Sequence, residues 1–256
     1  MITEARAVWL LMRRGLNEVL RVPGAAIPGI LAPTIFVLGF SVAFGGLAGL
    51  AGFTTDDYVS FVLPVGLLQG AGFSGGAIGV NLARDLEMGR FDRLLLSPTS
   101  RPSLLVGTIL SASLRAMLPA GLVLIVALVA GASITNVPLL VLAMIITALF
   151  AIVAALYGVS LALNLQTQSA APLMQAGMFA VVLISSSYAA RPQLAPWLET
   201  IANINPVTYV LELTRLAFVD HEDVWSAIWP GVVALLGLIL ALAVVVALSL
   251  RRVITE

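Results

Sequence analysis

The sequence predicts an all-α integral membrane protein with six transmembrane helices, and three observations support this class. The 256 residues are 60% hydrophobic and only 10% charged, whereas a soluble domain usually carries about a quarter charged residues. The mean hydropathy is +1.07. Apolar tracts of the roughly 20 residues that a helix needs to cross a bilayer recur along the chain. Open strands cannot span lipid because their backbone groups would stay unpaired, so these tracts are expected to be helices.

Six tracts are long and apolar enough to be transmembrane spans. We expect them at residues 26–47, 58–82, 104–129, 138–163, 172–189 and 227–250. The sequence has no repeat of fixed period and no low-complexity linker. It therefore predicts a single transmembrane domain over residues 1–256.

The arginines predict the orientation of the chain, because arginine-rich loops stay in the cytoplasm. They cluster before span one, between spans two and three, and after span six: Arg6, Arg13, Arg14, Arg21, Arg84, Arg90, Arg93, Arg101, Arg251 and Arg252. An even number of spans places all three groups on one side. The opposite loops hold only Arg191 and Arg215, among many acidic residues. We expect a multi-pass protein of the plasma membrane with both termini in the cytoplasm.

Two further segments are expected to touch the membrane without crossing it. Residues 1–24 place apolar side chains and arginines on opposite faces at helical spacing, which predicts an amphipathic helix in the cytoplasmic interface. Residues 191–225 are too polar to cross the membrane and too apolar for a free loop. They predict a pair of short helices dipping into the outer leaflet where protein buries their backbone.

The composition argues against catalytic and metal chemistry in this chain. All 13 basic residues are arginine, so the lysine of a standard phosphate-binding loop is missing. With one histidine, His221, and no cysteine, His-cluster and thiolate metal sites are excluded. His221 is expected in a solvated outer loop, with a pH- or metal-sensing role as the alternative. We predict no catalytic residue, no metal and no cofactor, and the zero net charge argues against nucleic-acid binding.

Polar side chains at membrane depth are candidates for a transport pathway, since each needs a protein partner or a wet cavity. The candidates are Gln69, Ser74, Arg115 and Gln175. Arg115 could bind an anionic cargo group or pair across a dimer. It could also snorkel to the cytoplasmic surface, or mark a third helix that begins below the membrane.

Glycines four residues apart in span two predict close helix packing. They form two overlapping pairs, Gly72 with Gly76 and Gly75 with Gly79. The pairs fit packing within the chain, an interface between subunits, or a yielding wall of a pathway.

The densest cluster of charges lies in residues 84–101, between two apolar spans. Phe91, Leu94, Leu95 and Leu96 in this stretch are too apolar for free exposure to solvent. The prolines of SPTSRP end it sharply, because a residue before proline is pushed out of the helical conformation. We expect a short cytoplasmic helix over residues 87–97 that docks into a partner. Glu87 would lie near its N-terminus, where the helix dipole favours a carboxylate. We expect Glu87 to accept a hydrogen bond from an arginine of the partner, or from Arg84 or Arg90 of this chain.

The stretch DLEMGRFDRLLLSPTSRPSLLVGTIL resembles the signature of type 2 ABC transporter permeases, in the daunorubicin-resistance-like branch of drug and lipid exporters. In that family this segment forms the coupling helix between the second and third spans. The resemblance implies contact with an ATPase through Asp85, Glu87, Gly89, Arg93, Leu94, Leu95 and Pro98. One departure is Thr108, which stands where the family often has lysine.

A second stretch, PWLETIANINPVTYVLELTRLAF, is similar to the NP-x-T/S-Y segment of the same family. The matching residues are Asn205, Pro206, Thr208 and Tyr209. In the family this segment forms re-entrant outer helices before the last span. The fifth span departs from the family pattern, because it ends in SSSYAARP instead of a Ser-Gly-aromatic-Pro run.

The resemblance implies the permease subunit of an ATP-driven exporter for hydrophobic or amphipathic cargo, such as a drug, a lipid or a lipid-linked molecule. ATP and Mg²⁺ would bind a separate ABC ATPase subunit. A second permease subunit, identical or related, would complete the transporter within membrane lipid. One alternative is an ion-coupled secondary transporter or channel, which the lack of carboxylates in the six tracts disfavours. Another is a membrane scaffold that transports nothing.

Overall fold

The computed structural model describes residues 6, 9–13, 15, 17, 23–46, 57–89, 101–221 and 223–255. From Pro23 onward this part of the chain forms eight α-helices and no strand. They are α1 Pro23–Phe44, α2 Tyr58–Glu87, α3 Arg101–Val129, α4 Val137–Leu165, α5 Ala171–Leu183, α6 Pro196–Ile204, α7 Pro206–Arg215 and α8 Val224–Thr255. Short 3-10 turns at Gln168–Ala170 and Arg191–Gln193 lie just before α5 and α6. The predicted all-helical membrane fold is confirmed.

Among the described residues, four helices are long and apolar enough to cross a membrane. They are Tyr58–Glu87, Leu104–Val129, Val137–Leu165 and Val224–Arg252. Gly29–Phe44 and Gln168–Leu183 are shorter apolar helices at the places of the first and fifth predicted spans. The fifth was expected to run to residue 189, but α5 ends at Leu183 after 13 residues. At 1.5 Å per residue α5 rises about 20 Å, less than the hydrocarbon thickness of about 30 Å.

Helix α2 lies at the centre of the bundle and packs against α1, α3, α4, α5 and α7. Its glycines bring it into backbone contact with α4. A Cβ added at Gly75 would lie 2.6 Å from the Cβ of Ala154, and one added at Gly79 would lie 2.5 Å from the Cα of Gly158. The glycine pairs therefore serve packing within the chain, and their order shows that α2 and α4 run parallel.

The neighbouring helix α3 runs in the opposite direction to α2. A Cβ at Gly66 would lie 3.1 Å from a methyl group of Val123, and one at Gly70 would lie 3.6 Å from the Cβ of Pro119. Residue numbers that rise along α2 are thus paired with residue numbers that fall along α3. Antiparallel packing of consecutive long helices is the arrangement expected of successive membrane crossings.

The carboxyl ends of α2, α4 and α8 share one end of the bundle, here called the inner end. There the Asn164 side-chain amide in α4 donates to Ser249 Oγ in α8 at 2.9 Å. The opposite end, here called the outer end, holds the start of α2 together with α6 and α7. The inner end carries the loops that the arginine pattern assigns to the cytoplasm.

Residues 184–190, after α5, are not helical and pack at the outer end. Arg215, the last residue of α7, supports this segment from a buried position with only 4% exposure. Its Nη2 donates to the Ser186 carbonyl at 2.8 Å, and its Nε donates to the Phe61 carbonyl at 3.1 Å. The guanidinium also lies 3.8 Å from the centre of the Phe61 ring. Non-helical backbone near a membrane needs such partners, because lipid offers none.

The described residues of the amino-terminal segment are helical, as the amphipathic pattern predicts. The segment reaches α3 through Gly15, where an added Cβ would lie 2.8 Å from Ser111 Cβ and 3.6 Å from Arg115 Cδ. Trp9 is 58% exposed. One side of the segment thus packs against α3, and Trp9 is left on the surface.

Gly79→Ala is expected to lower the free energy of unfolding by about 1–3 kcal/mol, because the added methyl group overpacks the α2–α4 contact against backbone atoms. The measurement is the midpoint of thermal unfolding of the purified chain in detergent. Gly39→Ala is the matched control, since nothing lies within 4 Å of a Cβ added there. Equal shifts in the two variants would contradict the packing described for α2.

Arg215→Met keeps much of the side-chain length but removes both hydrogen bonds to backbone carbonyls. Charge-assisted hydrogen bonds contribute about 1.5–3 kcal/mol each, so residues 184–190 should loosen and the chain should lose stability. Hydrogen–deuterium exchange over residues 184–190 measures the first effect. Arg13→Met, which removes an exposed arginine, should leave that exchange unchanged, and unchanged exchange in Arg215→Met would refute the supporting role.

Candidate functional site

The inner end of α2 carries the first predicted site, and it differs from the expectation at Glu87. Helix α2 continues to Glu87 and stops at a turn in which Gly89 has φ +63°. Glycine adopts this left-handed conformation without strain and commonly ends helices. Asp85 and Glu87 therefore lie on the last turn of α2. The prediction that Glu87 begins a separate helix is wrong, because the α-helix is not interrupted before Gly89.

The Glu87 carboxylate reaches across the inner end to the chain between α4 and α5. Its Oε2 accepts a hydrogen bond from the backbone N–H of Gln168 at 2.9 Å. Gln168 opens the 3-10 turn that leads into α5, and Thr167 caps the same turn by accepting from the N–H of Ser169. We expected an arginine of this chain or of a partner as the contact of Glu87. The contact that the structure describes is a backbone N–H instead.

The rest of the predicted coupling helix falls in residues 90–100, outside the described residues. This holds for Arg93, Leu94, Leu95 and Pro98, so their role remains a prediction. The described chain resumes at Arg101, the first residue of α3. The segment is therefore flanked directly by two of the membrane-length helices.

The outer site is built around the start of α7, and it gathers the predicted residues. Asn205 Oδ1 accepts from the Val207 N–H at 3.0 Å, and its Nδ2 donates to the Val181 carbonyl in α5 at 2.8 Å. Pro206 is the first residue of α7, a position where its missing N–H costs nothing. Asn205 thus caps α7 and ties it to α5. The pair of short helices predicted before the last span is present as α6 and α7.

Arg191 and Glu212 form an ion pair that fixes the outer site and that the sequence did not reveal. Arg191 Nε donates to Glu212 Oε1 at 2.6 Å, and Nη2 donates to Oε2. Nη1 donates to Asn203 Oδ1 at 3.2 Å, and the guanidinium lies 4.4 Å from the centre of the Tyr209 ring. Hydrogen bonding to the Glu212 carboxylate raises the pKa of Arg191 above its ordinary value. The two residues are 21 positions apart, so only folding brings them together.

Two buried polar side chains have no hydrogen-bond partner within the part of the chain that the structure describes. Both side-chain polar atoms of Gln69 and the hydroxyl of Thr208 are in this position. Gln69 is 1% exposed and Thr208 is fully buried. An unpartnered buried amide destabilises the fold by a few kcal/mol. Gln69 therefore remains a candidate pathway residue, although the structure buries it away from solvent.

The other pathway candidates lie in different helix contacts. Gln175 packs against Gly76, where an added Cβ would be 3.4 Å from the Gln175 Cα. Arg115 is 9% exposed and lies beneath Gly15 of the amino-terminal segment. Ser74 is partly buried in α2. The four candidates therefore do not share one site. Gln69 lies in the core, Gln175 lies at the α2–α5 contact, Arg115 lies under the amino-terminal segment, and Ser74 is partly buried in α2.

His221 lies exposed beside the carbonyl of Asp220, with 3.2 Å between Nδ1 and the oxygen. In the described ranges no group of three or more His, Cys, Asp or Glu side chains could hold a metal ion. The candidate sites that remain are thus the inner end of α2 and the outer end around α7.

Known proteins with similar sequences match most of the chain. The putative transport permease ycf38 of Cyanophora paradoxa is 25% identical over 223 residues, which cover 86% of this chain and 77% of the relative. The ycf38 protein of Porphyra purpurea is 27% identical over 222 residues, which cover 83% of this chain and 74% of the relative.

A third relative shares a shorter region with higher identity. It is the daunorubicin resistance ABC transporter permease protein DrrB1 of Streptomyces coeruleorubidus, 33% identical over 93 residues, or 36% of this chain and 32% of the relative. The sequence pattern of the ABC-2 type transporter family matches residues 6–219. That match includes both the inner end of α2 and the outer site around α7, and the chain belongs to the ABC-2 type transporter family.

Proposed function

We propose that the chain is the permease subunit of an ATP-driven ABC exporter and that it works with a separate ATPase subunit. The observation that carries this proposal is the position of the charged segment 90–100 within the family match. This segment connects the end of α2 to the start of α3, and both are membrane-length helices. Force applied to this segment would act on both helices at once, and α2 contacts most of the bundle.

The ATPase belongs on another chain because this one contains no lysine. A phosphate-binding loop uses lysine to reach the nucleotide phosphates. ATP and Mg²⁺ are therefore bound by the partner, and this chain contributes the membrane passage. A second permease subunit, identical or related, completes the transporter.

The proposed cargo is hydrophobic or amphipathic, such as a drug, a lipid or a lipid-linked molecule. Two observations support this class. The spans are strongly apolar, and Gln69 is the largest fully buried polar side chain among the described residues. The relative DrrB1 is named for resistance to daunorubicin, although it matches only part of this chain.

The alternative of an ion-coupled transporter receives less support from the chain. Such proteins generally hold Asp or Glu side chains inside the membrane. The carboxylates of α2 lie on its last turn, at the inner end. Glu212, in α7, is paired with Arg191. The first pair lies at the end of its helix and the second carboxylate is neutralised by an arginine, and neither arrangement is typical of an ion-binding carboxylate within the membrane.

Leu95→Asp tests the proposed docking of residues 90–100. It should weaken binding of the partner ATPase about tenfold or more, a loss of about 1.4 kcal/mol or more, because a charge would enter an apolar contact. Binding is measured by titrating the purified ATPase against the permease in lipid nanodiscs. Leu165→Asp makes the same change at an exposed leucine of the inner end and should leave the affinity unchanged. Equal affinities for Leu95→Asp and the unmodified chain would exclude this segment as the docking site.

Single-cysteine labelling tests the proposed orientation in the plasma membrane. The chain has no cysteine of its own, so each label reports only the introduced site. Cysteines at positions 97 and 255 should react only with reagent on the cytoplasmic side, and cysteines at 57 and 222 only from outside. Labelling of position 97 from outside would overturn the orientation and the ATPase coupling with it.

A further inference from the structure

Helix α5 and the segment after it are fastened to α2 at both ends of the bundle. At the inner end, the Glu87 carboxylate of α2 accepts from the Gln168 N–H at 2.9 Å. At the outer end, the Tyr58 hydroxyl of α2 donates to the Tyr188 carbonyl at 2.8 Å. The two hydrogen bonds involve the first turn and the last turn of α2. These hydrogen bonds hold both ends of the segment 168–188, which contains α5, against α2.

Glycines keep the two helices in contact between these ends. A Cβ added at Gly76 would lie 2.9 Å from the Met174 carbonyl oxygen, and one at Gly72 would lie 3.6 Å from the Met178 Cβ. Close backbone contact of this kind resists sliding, because packed side chains interlock. Helix α5 also packs more extensively on α2 than on α4, the helix that precedes it in the sequence.

The inner hydrogen bond joins a side-chain oxygen of Glu87 to a backbone donor. As the last residue of α2, its carboxylate lies at the negative end of the α2 dipole, where a negative charge is disfavoured. Gln168 is the first residue of the short 3-10 turn that leads into α5. Its N–H gives the Glu87 carboxylate a hydrogen-bond donor, which the carbonyl-bearing end of α2 does not supply.

The outer end has a second connection between the same two elements. Arg215 donates both to the Phe61 carbonyl in α2 and to the Ser186 carbonyl in the segment after α5. Loss of the Tyr58 contact alone would leave this bridge in place. At the inner end, the hydrogen bond described between α2 and the turn before α5 is the one that Glu87 accepts from Gln168.

We propose that α2 and α5 move as one rigid body during transport, and that Glu87 is the positioning residue that transmits movement of residues 90–100 into α5. This inference rests on the proposed function as an ATPase-coupled permease. It assigns Glu87 a contact within its own chain in place of an arginine on the ATPase. The two roles make different demands, since the contact with Gln168 needs an acceptor oxygen whereas an ion pair needs a negative charge.

Two substitutions at Glu87 separate these roles. Glu87→Gln keeps an acceptor oxygen for the Gln168 N–H but loses the charge, and Glu87→Ala loses both. With the permease in nanodiscs and the partner ATPase titrated, Glu87→Ala should lower the maximal stimulated ATP turnover about fivefold or more. Glu87→Gln should stay within about twofold of the unmodified chain. The concentration of ATPase at half-maximal stimulation should not change in either variant. Glu199→Ala, which removes a carboxylate of α6 at the other end of the bundle, is the control.

A reversible cross-link provides a readout that a purely structural role would not move. Cysteines replace Glu87 and Gln168 together and are joined by a short bis-thiosulfonate reagent. The reduced double variant should resemble Glu87→Ala, and cross-linking should restore stimulated turnover until a reducing agent is added. The yield of cross-link should be equal without nucleotide and with ATP trapped by vanadate, because a rigid pair keeps its separation.

The possible results distinguish this inference from the function on which it rests. If Glu87→Gln is as impaired as Glu87→Ala, or if the affinity for the ATPase falls in both, Glu87 acts through its charge and the inference is wrong. It is also wrong if the cross-link blocks turnover or forms in only one nucleotide state. A chain that neither binds nor stimulates any ATPase overturns the proposed function as well.

Discussion

The close contact of α2 with α4 is the constraint on which the rest of the bundle depends. In a membrane the hydrophobic effect does not drive helices together, so association relies on packing and hydrogen bonds. Gly75 and Gly79 let α2 approach Ala154 and Gly158 to backbone distance. The same helix meets α1, α3, α5 and α7 on its other sides. A larger residue at either glycine would separate α2 from α4 and so disturb the helix that all of these neighbours share.

The outer end follows a different physical rule, because part of its backbone is not helical. Residues 184–190 cannot satisfy their own carbonyls within a helix, and lipid provides no donors. Buried side chains supply them instead, with Arg215 binding the Ser186 carbonyl and Tyr58 binding the Tyr188 carbonyl. Asn205 donates to the Val181 carbonyl in the last turn of α5, where the helix has no further N–H to offer. Arg215, Tyr58 and Asn205 are thus explained by the backbone carbonyls that they bind, which is why they are tolerated in so apolar a protein.

The two helix ends that differ from the sequence prediction share a cause. The helix that was expected to begin at Glu87 is the end of α2, and the fifth span stops at Leu183 before its expected end. Hydropathy locates an apolar tract, but it does not report where hydrogen bonding within a helix ceases. Gly89 was recognised only as a motif position, although its left-handed conformation sets the end of α2. The ion pair of Arg191 with Glu212 depends on a fold that no local pattern encodes.

The sequence by itself determined the class of protein, the places of the spans, the pair of short helices before the last span, and the family. These features follow from apolar length, from a segment too polar to cross the membrane yet too apolar for a free loop, and from two motifs in a fixed order. Only the tertiary structure decided that Glu87 binds the Gln168 N–H and that Arg215 joins Phe61 to Ser186. These partners lie far apart in the chain and include backbone atoms, which every residue possesses. Composition and spacing therefore do not predict these partners. The partners are set by helix packing around the glycines of α2.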